Sequence, residues 1–83
     1  MKKTIKGVLY DSSKATPLCC SVFQAENQRV SETAYRTNSG QYFIVQVIDG
    51  KETALFPVSN TDMAAWTEFH SKRMGKIWPG PKK

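Results

Sequence analysis

Between residues 31 and 56 the chain alternates and breaks as an antiparallel meander requires. Residues 31–37 read as a strand, Asn38-Ser39-Gly40 as a turn, and residues 41–48 as a second strand. Asp49-Gly50 supplies the pair that two-residue hairpins favour, because both central positions take positive φ. Residues 51–56 return as a third strand, and Pro57, with no N–H to donate, ends the ladder. Within residues 41–48 both rows are largely apolar: Phe43, Val45 and Val47 on one, Tyr42, Ile44, Gln46 and Ile48 on the other. The wholly apolar row is assigned to the core and the mixed row to a half-exposed face. A strand apolar on both faces is either the central strand of its sheet, the usual arrangement, or a surface that a partner covers.

The front of the chain is less regular. Residues 4–10 read as a first strand, with Ile5, Val8 and Tyr10 as core candidates. Asp11-Ser12-Ser13 is a cluster of capping residues and predicts one helical turn over residues 13–15, which Pro17 stops at Thr16. Residues 18–23 are compact and apolar, fitting a short buried strand and equally one or two helical turns. Residues 24–30 are polar and read as a loop with Arg29 exposed.

A helix is predicted over residues 60–74. Ser59 suits the N-cap, and Asp62 puts a carboxylate in the first turn, where the helix dipole favours it. Met63, Trp66, Phe69 or His70, and Arg73 or Met74 recur at helical spacing as one apolar stripe. Glu68 and Lys72 form an i,i+4 pair, and Gly75 stands where a C′ residue is wanted. Ile77-Trp78-Pro79-Gly80-Pro81 cannot continue the helix. Trp78 is expected to tuck back onto the sheet, with a mobile tail from Pro79.

Length confines this to one domain, residues 1–75, followed by a basic Pro/Gly-containing tail, residues 76–83. A hydrophobic content of 40% against 23% charged residues is too apolar for intrinsic disorder. So short a chain has a modest core, and a homodimer is one usual way to enlarge it. The formal net charge is +5, with Lys2, Lys3 and Lys6 at the front and Lys72, Arg73, Lys76, Lys82 and Lys83 at the back. If the ends meet, they form a positive patch for phosphate, nucleic acid or an acidic protein; otherwise they are solvated ends.

Candidate chemistry is sparse. Cys19 and Cys20 are adjacent, too close along the chain for a relaxed disulfide, and no second pair completes a zinc site. They read as reduced, partly buried apolar residues in a cytoplasmic protein. His70 is the only histidine and reads as a partly exposed helix residue. The glycines stand alone, so no phosphate loop is present. These features point to no enzyme, no cofactor, no metal and no membrane span. For nucleic acid, Tyr35, Arg36 and Tyr42 on the meander combine aromatic and basic groups, with Lys72, Arg73 and Lys76 adding charge. Core packing explains the aromatics as well, and Arg36 could instead pair across strands with an acid such as Glu52.

Three blocks carry a resemblance: K-x-I-x-G-x-x-Y-D-S-x-x-A from Lys3, E-x-x-Y-R-T-x-x-G-x-Y-F from Glu32, and P-V-S-x-x-D-x-A-x-W from Pro57. In order and spacing the chain resembles a family of short accessory proteins carried on bacterial mobile elements of phage, plasmid or integron-cassette type. That family is expected to carry a longer glycine-rich insertion after the Tyr42-Phe43 strand, where this chain runs straight into a tight turn. The resemblance implies a small accessory protein and brings no catalytic residues.

The expected fold is α+β: an antiparallel meander of four to five strands with one C-terminal amphipathic helix packed on one face. Trp66, Phe69, Phe43, Val45, Val47 and Leu55 are expected to form its core. The expected function is a protein-binding module, with a homodimer open; the alternative is a small basic nucleic-acid binder. Tyr35, Arg36, Tyr42, Lys72, Arg73 and Lys76 are the candidate contacts for either partner.

Overall fold

Three two-residue turns with positive φ at both positions set the architecture: Lys6-Gly7 (51° and 79°), Glu26-Asn27 (53° and 68°) and Asp49-Gly50 (51° and 82°). Such turns match the right-handed twist of the strands they join. They connect β1 (Lys2–Ile5) to β2 (Val8–Asp11), β3 (Thr16–Ala25) to β4 (Gln28–Arg36), and β5 (Tyr42–Ile48) to β6 (Lys51–Val58). The computed structural model describes residues 2–72 together with Ile77, Trp78 and Gly80. Its fold is α+β: an antiparallel meander ordered β3-β4-β5-β6, a separate β1-β2 hairpin, and the helix α1 (Asn60–Ser71).

Several expectations change in detail. Residues 4–10 are not one strand, because the Lys6-Gly7 turn folds them into a hairpin. The predicted helical turn at residues 13–15 is instead a turn built on Asp11, whose Oδ1 accepts from the Ser13 N–H at 3.0 Å and the Ser13 hydroxyl at 2.7 Å. Residues 18–23 resolve as strand, and residues 24–30 are no loop: β3 runs on to Ala25 and β4 starts at Gln28. Pro57 lies inside β6 rather than ending it. That is tolerated because β6 is an edge strand.

The predicted single core is two cores, one on each face of the sheet. Phe43, Val45 and Leu55 pack with Tyr10 beneath the β1-β2 hairpin, and Val47 lies partly buried against them. Trp66 packs on the opposite face with Ala34, Ile44, Val58 and Trp78, and Phe69 flanks that group. The central position of β5 demands this arrangement. Both its rows are largely apolar, and burying a side chain such as Phe43 or Ile44 is worth roughly 1.5–3 kcal/mol, so each face needs a cover.

α1 starts as the sequence requires, with a capping box. Ser59 Oγ accepts from the Asp62 N–H at 3.1 Å, and Asp62 Oδ2 accepts from the Ser59 N–H at 3.2 Å. The described helix ends at Ser71 with Lys72 as C-cap. The expected extension to residue 74 and the role of Gly75 fall outside the described residues. Trp78 does return to the sheet, its ring edge-on to Phe56 at 6.0 Å, although it belongs to the segment read as a tail.

Candidate functional site

A buried acid organises the helix-covered face. β4 alternates so that Val30, Glu32 and Ala34 share one row, and all three have no exposed surface. In the ladder Glu32 stands opposite Gln46, the polar member of the corresponding row of β5. Four donors satisfy its carboxylate: Trp66 Nε1 (2.9 Å) and His70 Nε2 (2.5 Å) on Oε1, Gln46 Nε2 (2.7 Å) and the Trp78 N–H (3.3 Å) on Oε2. Gln46 Nε2 also donates to the Trp78 carbonyl at 3.1 Å. One carboxylate thus ties α1 and the C-terminal segment to the sheet.

His70 is the partly exposed helix residue expected, but its ring is engaged on the inner side. Its side chain is 13% exposed and its ring meets Phe23, Trp66 and Phe69 at 5.0–5.3 Å. With both Glu32 oxygens occupied and the acid enclosed, this arrangement holds elements together. A reacting molecule would have to displace that shell.

The candidate contacts do not converge. Tyr35 stacks on Phe43 at 5.1 Å under the hairpin, whereas Tyr42 packs with the helix-side group on the other face. Arg36 is exposed at the end of β4. Its ladder partners are Thr16 and Tyr42, while Glu52 lies on β6, two strands away, so the suggested Arg36–Glu52 cross-strand pair does not form. Lys72 is exposed and pairs with Glu68 at 3.5 Å, as the spacing predicted. Arg73 and Lys76 fall outside the described residues.

Sequence reasoning gave no weight to the outer edge of the sheet. β3 is ten residues long, pairs among the described residues only with β4, and contains no charged residue. Pro17 and a bulge before Cys19 interrupt its start, but residues 19–25 continue without irregularity. Cys20 and Val22 lie on the hairpin face, with Val22 57% exposed. The opposite edge differs: β6 carries Lys51, Glu52 and Pro57 and faces a bulge at Gln46/Val47. Charges, prolines and bulges are the devices that keep sheet edges from pairing. β6 has them, and residues 19–25 have none.

Both cysteines are exposed rather than partly buried, because they lie on this edge strand. Cys20 Sγ accepts from the Thr33 hydroxyl at 3.3 Å. Local screening from water, then the neighbouring Cys20, pushes the Cys19 thiol up from its ordinary value. A small open pocket borders Leu9, Asp11, Lys14 and Thr37. The polar groups of Asp11 and Thr37 are engaged by their own turns. Among the described residues, no three histidine, cysteine or acidic side chains group as a metal site, and no helix is long and apolar enough to cross a membrane. Comparison with known proteins finds no match to the chain among family models, curated proteins or solved structures.

Proposed function

We infer that this chain is a protein-binding module, an accessory protein of the mobile-element kind its sequence blocks resemble, and that it binds through the outer edge of β3. The unguarded edge carries the reading. An extended partner strand added there would gain a backbone ladder, and the alternate side chains would set its specificity. Exposed Leu18 and Val22 give that partner apolar surface to cover. The nucleic-acid alternative draws on the net charge of +5, but its aromatic candidates Tyr35 and Tyr42 face opposite ways.

The test compares immobilised protein with two single-charge variants. Val22→Lys puts an ammonium on the edge, and Ala64→Lys puts one on the exposed side of α1. Proteins retained by the chain and by Ala64→Lys but lost from Val22→Lys would support the reading. Equal retention by Val22→Lys, or nuclease-sensitive retention throughout, would overturn it.

A further inference from the structure

The partner of the edge follows from its hydrogen-bonding phase and its charge. In a hairpin closed by a two-residue turn, the flanking residues Ala25 and Gln28 exchange backbone bonds, and the alternation then runs back along the strand. Gln24–Arg29, Val22–Ser31 and Cys20–Thr33 are thus the pairs that do not exchange bonds. Arg29 agrees with this phase: its carbonyl turns away from β3 and accepts from the Asp49 N–H at 2.8 Å. The N–H and C=O groups of Cys20, Val22 and Gln24 therefore point outward from the sheet.

Any strand added here must match the stretch 19–25, whose centre is Val22 and which carries no charge. A charged partner strand would find no counter-charge in it. A second copy of the same stretch brings none. Laid antiparallel about a two-fold axis at Val22, the outward groups match in phase: Val22 bonds its own symmetry mate, and Cys20 bonds Gln24 of the second copy. Ser21 then faces Phe23, and Val22, the most exposed large apolar side chain among the described residues, meets itself on the axis. No other axis uses the whole bulge-free stretch. The paired stretch itself holds no cationic residue, so a chain of net charge +5 brings no like charges opposite each other within the added ladder.

We propose that this protein forms a two-fold dimer by pairing β3 with β3 of a second copy, Val22 lying on the axis, to give one continuous eight-stranded sheet. This rests on the β3 edge being the binding surface. Cysteine does not oppose cysteine in this register, so the dimer persists in reductant.

Sedimentation equilibrium of the full chain under reducing conditions tests it. The wild type and Ala64→Lys are expected to approach twice the 9.3 kDa chain mass as concentration rises. Val22→Lys is expected to stay at the single-chain mass, its dissociation constant raised at least ~100-fold, with an unchanged circular dichroism spectrum. In a Cys19→Ser, Cys20→Ser background, Val22→Cys should be linked into a covalent dimer by a short bismaleimide, and Ala64→Cys should not. A wild type monomeric at every concentration overturns the dimer alone, and the edge reading then stands or falls by whether Val22→Lys loses retained proteins. A dimer that Val22→Lys leaves intact overturns the β3–β3 pairing, and a Val22→Lys protein that also keeps its retained proteins overturns the edge reading with it. A doubled mass without cross-linking at position 22 overturns the proposed axis.

Discussion

Replacing Glu32 by alanine should cost this fold most of its stability. The substitution leaves Trp66 Nε1, His70 Nε2 and the Trp78 N–H without their acceptor, while Gln46 keeps its bond to the Trp78 carbonyl. An orphaned buried donor costs about 1–3 kcal/mol, so the loss is on the order of 4 kcal/mol or more before any cavity is counted. A domain of this size is stable by roughly 4–12 kcal/mol, and Glu32→Ala should therefore lie near or past the unfolding threshold. Glu32→Gln keeps the shape and one acceptor oxygen but turns an amide N–H₂ towards donors, and should cost about 2 kcal/mol. The exposed Glu68→Ala, which breaks only the pair with Lys72, should cost less than about 1 kcal/mol. Urea unfolding in dilute solution reads all three. Trp66 and Trp78 are the only tryptophans and both touch Glu32, so their fluorescence reports the network directly. A Glu32→Ala protein within about 1 kcal/mol of wild type would show that apolar packing alone holds α1 and Trp78 to the sheet.

Glu26 adopts positive φ at an unfavourable residue, so Glu26→Asn with Asn27→Gly should stabilise the β3-β4 turn by about 1 kcal/mol, seen as a Tm rise of roughly 4–8 °C in thermal unfolding. The Ser13 hydroxyl, then the Ser13 N–H, hold the Asp11 carboxyl below the usual carboxylate range. A depressed folded value adds stability above the unfolded value, lost as pH falls through the folded one. The Tm gap between wild type and Ser13→Ala should hold near neutrality and narrow below about pH 4; a gap independent of pH would contradict this. Burial, the larger cause of the raised Cys19 thiol, survives Cys20→Ser, so in dilute solution that variant should be alkylated more slowly than a free thiol at neutral pH, converging as pH rises.

Local chemistry was legible where a residue acts on its own neighbourhood. Ser59 and Asp62 cap the helix and Asp49-Gly50 turns the chain, because both effects act within a few residues. The paired rows of residues 41–48 announced a central strand, but not that each row would need a separate cover. Glu26-Asn27 escaped notice because glutamate rarely takes positive φ, so the turn looked like part of a polar loop that also took in the end of β3 and the start of β4. The Glu32 network joins residues up to 46 positions apart. Its signal was faint but present: Glu32 and Gln46 each sit on an apolar row, and their registers meet. A polar residue on such a row is a reason to look for its partners.

Hydrogen exchange at single amides tests the proposed edge most directly. At high protein concentration the amides of Cys20, Val22 and Gln24 are predicted to be protected, and to lose that protection on dilution or in Val22→Lys, while Ser21 and Phe23, bonded to β4, stay protected throughout. Exchange at Cys20, Val22 and Gln24 as fast as in an unpaired strand, at every concentration and with any protein partner present, would contradict the account.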